Sequence, residues 1–389
     1  MNTIVARPWL VLLGLALGVT VTNGFARFAY GLLLPSMQSE MGWNYAQAGW
    51  LNTANAFGYI GGAVFTMISI RKISPSHLFA FGLLSTTLGL LATGLNSELW
   101  WQTLWRTLVG IFGAMSFSTA GVLTASLFGD DARKNALAIA LLFGSGGGLG
   151  IVLAGAVLPL MLDTYGPSSW PVGWIIIGIL STLILPLGVW AAFEARFLHE
   201  SKSKITSLPL RPILFELIGY AGFGLGYIVY LTFLSAWMTE NLSTAGFMSM
   251  IWMLLGLCIC LSPFIWQPIL TRYTSGLPLA FILICIAIGT ALPVVFTSGW
   301  ALILSALIFG SSVFMAPGAI ANFTRQNLPP IYWGRVLSLF TVVFAVAQTI
   351  GPYGAGLVGD YYGNIGVSLL LSSAILLLGA LISLFQKPL

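Results

Sequence analysis

The chain is 389 residues long, 58% hydrophobic and only 6% charged, with a mean hydropathy of +0.96, whereas soluble domains carry roughly 25% charged residues. That balance excludes a soluble enzyme, and the formal charge of +5 does not point to nucleic acid, because the basic residues stand singly or in pairs between apolar runs and form no patch. A spanning helix needs about 20 mostly apolar residues, which leaves room for roughly twelve spans and for no extramembrane domain large enough to hold separate chemistry.

In chain order, Arg7 precedes an apolar run from Trp9 to Leu34 with no small-residue cleavage site. This reads as a retained first span, since it is too long for the core of a cleaved leader. Apolar windows bounded by charges, Pro or Asn/Gly/Ser clusters place the spans at 9–34, 46–69, 77–95, 99–126, 135–161 and 171–193. Six more follow at 212–238, 245–268, 277–296, 300–322, 336–357 and 364–386. The one long polar stretch, "EARFLHESKSKITSLPLR" at 194–211, divides them. The expected organisation is an N-terminal six-helix bundle over 1–193, a cytoplasmic linker over 194–211 and a C-terminal six-helix bundle over 212–389. Cys258, Cys260 and Cys285 fall inside apolar segments without the flanking pattern of a metal site and read as small hydrophobes.

Charge then gives orientation. One alternating set of inter-span segments holds Arg7, Arg71, Lys72, Arg133, Lys134, Arg196, Lys202, Lys204, Arg211, Arg272, Arg325, Arg335 and Lys387. The other set has no Lys or Arg and carries Glu40, Glu98, Asp163, Glu240 and Asp360. Under the positive-inside rule both termini and the linker are expected in the cytoplasm, in a bacterial inner membrane. Only Arg27 and Arg106 are left over, and both lie within spans. The halves also echo each other, as in an internal duplication: "AGW" at 48–50 against "AGF" at 245–247, "GIFGAMSF" at 110–117 against "GSSVFMAP" at 310–317, and Gly-rich "GSGGGLGIVLAG" at 144–155 against "GPYGAG" at 351–356. The Gly-rich stretches read as close-packing surfaces. No Walker Lys or preceding strand accompanies them, so they do not signal a nucleotide loop.

Specific stretches resemble a known superfamily. "RTLVGIFGA" at 106–114 is similar to the fourth-helix signature of major facilitator superfamily carriers, an Arg followed at +4 and +7 by Gly. The run at 144–155 resembles the fifth-helix signature without its usual Pro, and "GPYGAGLVGDYYG" at 351–363 resembles the end of the eleventh helix. More narrowly, "NGFARFAYGLLLPSM" from Asn23, "AGWLNTANAFGYIGGA" at 48–63, "GYAGFGLGYIVYLTFL" at 219–234 and "FAVAQTIGPYGAGLVGD" at 344–360 look like the YbfB/YjiJ-type branch. The resemblance covers nearly the whole chain and implies an all-α integral membrane protein of 12 transmembrane helices in two six-helix bundles, the major facilitator fold. In one departure, the loop between the second and third spans reads "MISIRKISPSH", so Arg71 and Lys72 stand without the Asp of the family's cytoplasmic charge latch.

Spacing alone draws polar stripes on several spans. Thr20, Asn23, Arg27 and Tyr30 recur at i, i+3, i+7 and i+10 on the first. Asn52, Asn55 and Tyr59 do so on the second, Gln102 and Arg106 on the fourth, and Glu216, Tyr220, Tyr227 and Tyr230 on the seventh. Polar stripes avoid lipid, so they are expected to converge on a central cavity. With the first span ending near Leu34 and the fourth beginning near Leu99, Arg27 and Arg106 each lie about seven residues, roughly 10 Å, from the same surface. No acid sits at that depth, and two guanidiniums make a clamp for carboxylate or phosphate. The structural alternatives are that Arg27 snorkels outward, that Arg106 bonds helix carbonyls or gates, and that the asparagines bond between helices. Gln348 and Asn322 are isolated amides that either contact substrate or bond a neighbouring helix. The residues expected in substrate binding or gating are Asn23, Arg27, Tyr30, Asn52, Asn55, Gln102, Arg106, Tyr220, Tyr227 and Gln348.

The expected function is secondary transport of a small solute, an organic anion, by rocking one bundle against the other. The alternatives are efflux of amphipathic drug-like compounds through an aromatic-lined cavity and, remotely, a non-transporting sensor. No His/Asp/Ser or metal constellation suggests an enzyme, and no cofactor is expected. Symport or antiport needs a coupling group, for which Glu216 is the one candidate; a proton carried on the substrate acid is the other route. The partners expected are a small-molecule solute, the lipid bilayer and, for a proton-coupled carrier, protons, with no nucleic acid, and the chain is expected to be a monomer.

Overall fold

The structure is a computed structural model that describes residues 7–70, 72–125, 127–129, 131–195, 211–241 and 244–389. Arg71 and most of the linker, including Arg196, Lys202 and Lys204, lie outside the described residues. Among the described residues all regular structure is helical. The long helices are α1 (Pro8–Met41), α2 (Tyr45–Ser69), α3 (Pro75–Thr93), α4 (Leu99–Thr124), α5 (Ala132–Tyr165) and α6 (Trp170–Glu194), then α7 (Leu214–Asn241), α8 (Ala245–Arg272), α9 (Leu277–Val295), α10 (Gly299–Val313, continuing as Ala316–Asn327), α11 (Pro330–Tyr362) and α12 (Ile365–Ser383). They form the two six-helix bundles of the major facilitator fold.

Local chemistry sets most of the boundaries. Gly42, at φ +63°, ends α1 in the left-handed conformation that only glycine takes cheaply. Two residues later Asn44 opens α2 with a capping box: its side chain accepts from the Gln47 amide at 2.8 Å and the Gln47 side chain accepts from the Asn44 amide at 3.1 Å. Helix α10 breaks at Phe314 and Met315, just before Pro317, which has no N–H to continue the ladder. The largest differences from the expected spans are at α1, which runs on to Met41 instead of ending near Leu34, at the end of α10, which reaches Asn327 instead of 322, and at both ends of α11. Eleven of these helices are long and apolar enough to cross a membrane. Helix α2 is long enough, but Gln47, Asn52, Thr53 and Asn55 dilute its apolar content.

Glycine lets the two halves approach backbone to backbone. A Cβ on Gly148 of α5 would come within 2.6 Å of the Gly256 carbonyl oxygen of α8, and one on Gly49 of α2 within 2.2 Å of the Pro352 oxygen of α11. Outward-facing Phe57, Leu183, Leu257 and Leu378 form part of the apolar surface that a bilayer would cover.

The two ends of the molecule differ. At the end bearing Glu40, Glu98, Asp163, Glu240 and Asp360 the halves are locked together. The Asp360 carboxylate of α11 accepts from the first two amides of α2, Tyr45 N at 2.7 Å and Ala46 N at 2.9 Å. The Tyr45 hydroxyl bonds Glu240 of α7. Two turns deeper, the Thr53 hydroxyl donates to the Thr349 carbonyl at 2.7 Å and Asn52 Nδ2 donates to Thr232 Oγ1 at 2.5 Å. The hydrogen bonds that cross between the halves among the described residues end at the level of Arg27, apart from those along α5 and α8.

Candidate functional site

Residues Thr20–Phe28 of α1 form nine residues of π-helix, a conformation with i→i+5 bonding that is rare beyond a single turn and concentrates at functional sites. Two contacts hold this segment from behind. Thr20 Oγ1 donates to the Gly146 carbonyl at 2.8 Å, and Gly24 abuts Gly150 so closely that a Cβ would reach 2.6 Å from its Cα. Wider turns change which side chains share a face, so the 3.6-residue stripe expected from the sequence splits. Arg27 points across the interface between the halves, while Tyr30 turns into the N-terminal half and donates to the Ala48 carbonyl at 2.6 Å.

Arg27 is 6% exposed, and its Nη2 donates to Gln348 Oε1 of α11. The Tyr227 hydroxyl of α7 donates to the same oxygen at 2.9 Å. The guanidinium lies over the Tyr59 ring of α2 at 5.1 Å, with the ring of its own neighbour Phe28 farther off at 5.9 Å. Among the described residues no carboxylate pairs with it. Arg27 Nε and Gln348 Nε2 are buried with no partner. Both orphan atoms of this cluster are donors, so what the cluster lacks is an acceptor.

Arg106 has a different setting. Its Nη1 donates to the Ala26 carbonyl in the π-helical segment at 2.5 Å, and its guanidinium lies 4.9 Å from the Tyr30 ring and 5.5 Å from the Trp174 ring of α6. Contact of Gly113 with the Thr22 carbonyl puts Arg106, seven residues earlier, near the level of Ala29, about 3 Å from that of Arg27. The two arginines therefore share a height but face opposite sides of α1. The extension of α1 to Met41 puts Arg27 14 residues, roughly 20 Å, from its own helix end, while Arg106 stays seven residues from Leu99, so α1 projects about 10 Å past the start of α4 and Arg27 keeps the expected depth relative to α4.

The other predicted residues divide in the same way. Asn23 lines the interface beside Gly147 and Phe314. Asn52 bridges to α7, whereas Asn55 Nδ2 donates to the Arg106 carbonyl at 3.0 Å inside its own half. Gln102 faces the α3–α4 turn and gives its amide to the Thr93 and Asn96 carbonyls. Asn322 bonds the Leu270 carbonyl, the interhelical alternative. Tyr220 stacks with Phe223 and Phe344, and Phe223 stacks in turn with Tyr227. Glu216 is buried at the opposite end of α7, beside Gln386 and Gly276, with Oε2 unpartnered. Its 11-residue separation from Tyr227 is roughly 16 Å.

Sequence reasoning had not assigned Phe223, Phe344, Trp174, Asp360, Tyr45 or Glu240 to the site. The pairs Phe223/Tyr227 and Phe344/Gln348 at i, i+4 were legible as shared faces. Nothing in the sequence pairs Asp360 with the start of α2, 315 residues away.

The family model described as "Uncharacterised MFS-type transporter YbfB" matches residues 19–384. A human protein, the voltage-gated purine nucleotide uniporter SLC17A9, is 27% identical over 188 residues, 47% of this chain and 40% of its own length. The chain thus aligns with less than half of that relative. Two solved structures share the fold at low identity. A bacterial homologue of the human lysosomal transporter Spinster, inward-facing and occupied, superposes with a TM-score of 0.74 at 14% identity, covering 97% of this chain and 96% of that one. The nucleoside transporter NupG superposes with a TM-score of 0.73 at 12% identity, covering 99% of both chains.

Proposed function

Since the chain belongs to the YbfB-type family of major facilitator superfamily transporters, we propose that it is a secondary carrier of a small organic anion and that Arg27 is the group that binds it. The observation carrying this reading is the Arg27–Gln348–Tyr227 cluster: a buried guanidinium whose partners are neutral, with donors left over on both Arg27 and Gln348. A buried charge without a counter-ion is costly. An anion that displaces Gln348 Oε1 would supply the charge and accept from Arg27 Nε, Gln348 Nε2 and the Tyr227 hydroxyl together. The uniporter relative is named for purine nucleotides, which are organic anions, and this agrees with the reading.

The mechanism follows from where the cluster joins the halves. Arg27 belongs to one bundle and Gln348 and Tyr227 to the other, so a ligand held by all three couples to their relative position. The Asp360 latch closes the acid-bearing end in this conformation; rocking breaks it and exposes the cluster to the other side. Arg106 positions Arg27 by holding the Ala26 carbonyl. By the positive-inside rule the acid-bearing end faces out of a bacterial inner membrane, and the termini are cytoplasmic. Glu216 lies too far from the cluster to exchange a proton with the ligand directly, so it is not the group that protonates or deprotonates the bound anion. The carrier works as a monomer, because the cluster draws on one chain alone.

The test is ligand-induced stabilisation of the purified protein with organic anions and cations, together with flux in proteoliposomes. Monocarboxylates are expected to stabilise the protein and to move across the membrane. Arg27→Gln should abolish both effects, and a Lys387 substitution should abolish neither. Movement of cationic dyes with Arg27→Gln flux intact would instead support efflux of amphipathic compounds.

A further inference from the structure

Beside the anion cluster stands an array of rings that the anion alone does not explain. Phe344 of α11 packs nearly parallel to three rings of α7: Tyr220 at 5.4 Å and 27°, Phe223 at 5.5 Å and 17°, and Tyr227 at 5.6 Å and 23°. Phe223 and Tyr227 stack on each other at 4.6 Å and 18°, and Tyr220 and Phe223 at 5.6 Å and 22°. Four rings in one orientation are unusual for core filling, where edge-to-face and offset contacts mix. The fifth ring of the group, Phe340, meets Tyr220 edge-on at 76° in the ordinary way.

The array has one open member. Tyr220, Phe223 and Tyr227 are buried, and Phe344 is only partly so. Across the interface, the N-terminal half presents the partly buried rings of Tyr59, Phe117 and Phe143, with Tyr59 and Phe117 6.0 Å apart and Phe117 and Phe143 4.5 Å apart. Tyr59 is also the ring beneath Arg27. Phe344 is four residues before Gln348 on the same face of α11, about 6 Å along the helix axis. An acceptor at the Arg27–Gln348 cluster and a ring on Phe344 can thus belong to one small molecule.

We propose that the anion carried at this site bears a planar aromatic ring, which continues the parallel stack on Phe344 while its acid group occupies the Arg27–Gln348–Tyr227 cluster. The separation selects an aryl acid in which one or two carbons link ring and acid. In benzoate the ring and the carboxylate are joined directly and cannot reach both subsites. This inference rests on the proposed function, because it needs an anion at Arg27. It adds a second subsite and a shape requirement.

The experiment compares 3-phenylpropanoate with 3-cyclohexylpropanoate, which has the same charge and linker and a ring without a π face. 3-Phenylpropylamine serves as the cationic counterpart. Affinities are measured by calorimetry on the full-length protein in detergent, for the parent chain and for Phe344→Leu, Phe344→Tyr and Arg27→Gln. Stacking in favourable geometry predicts that the phenyl acid binds roughly 3- to 10-fold tighter than the cyclohexyl acid. Phe344→Leu should bring the phenyl acid down to the affinity of the cyclohexyl acid. Phe344→Tyr keeps a ring and should keep the preference, which controls for a Leu variant that fails to fold. Equal binding of the two acids by the parent, lost for both in Arg27→Gln, would overturn the ring subsite and leave the anion site standing. Binding of the amine but of neither acid would overturn the anion site and the ring subsite together.

Discussion

Replacing Asp360 by Ala removes the carboxylate that joins α11 to the start of α2. The two bonds lost, to Tyr45 N at 2.7 Å and Ala46 N at 2.9 Å, are charge-assisted and sit at the positive end of the α2 dipole. Hydrogen bonds to charged groups contribute about 1.5–3 kcal/mol each. Asp360 is partly exposed, and the freed amides will bond water, so the pair together is discounted to about 2 kcal/mol. That is roughly a 30-fold shift of the equilibrium away from the state sealed at this end. The assay is modification of a cysteine below the seal. Cys258, Cys260 and Cys285 are replaced by Ser, and Ala56, buried one turn beyond Thr53, is changed to Cys. A membrane-impermeant maleimide is then applied from each side in right-side-out and inside-out vesicles. The modification rate from the acid-bearing side should rise by about an order of magnitude or more in Asp360→Ala, with Asp360→Glu intermediate. A rate within twofold of the parent would refute the reasoning, because the carboxylate would then not be what holds this end shut. The side from which the acceleration is seen also tests the orientation inferred from charge.

Other predictions follow from separate contacts. Arg106→Lys keeps the charge but loses the planar donor that reaches Ala26 between Tyr30 and Trp174. Transport should fall at least tenfold, while a tag-based assay finds the protein in the membrane at normal levels. Gly24→Ala drives a methyl into Gly150 and should cost about 1–3 kcal/mol, read as a lowered thermal midpoint that added ligand partly restores. Glu216→Gln should leave both counterflow and pH-driven accumulation intact, and loss of pH-driven accumulation alone would move the coupling proton to Glu216. Tyr227→Phe removes one of the two donors to Gln348 Oε1 and should weaken anion binding about 3- to 10-fold without changing the ring preference.

Much of the fold was legible because membrane helices are specified locally. Apolar run length, Gly and Pro punctuation and the Lys/Arg asymmetry act within a few residues of where they are read, so twelve spans could be drawn within a few residues at most ends. The boundaries that moved most, at Met41, at Asn327 and at both ends of α11, lie where polar or charged helix continues beyond the apolar window. Of the site residues, Arg27, Tyr227 and Gln348 were each identifiable as polar groups in apolar surroundings, since such groups are expensive in a bilayer.

Sequence alone determined that this chain is an integral membrane protein of twelve helices, which of its ends carries the bases, and that Arg27 and Arg106 are its two intramembrane cations. Tertiary structure decided what those cations face. The π-helical turn at Thr20–Phe28 rotates Arg27 towards Gln348 and Tyr227 and leaves Arg106 behind it on Ala26, Tyr30 and Trp174. It also placed Asp360 on the start of α2 and Phe344 on the rings of α7. The physical reason is range. Hydropathy and capping act over one or two turns of helix, whereas a guanidinium, a carboxylate or a ring finds its partner hundreds of residues away, through a packing arrangement that no local period encodes.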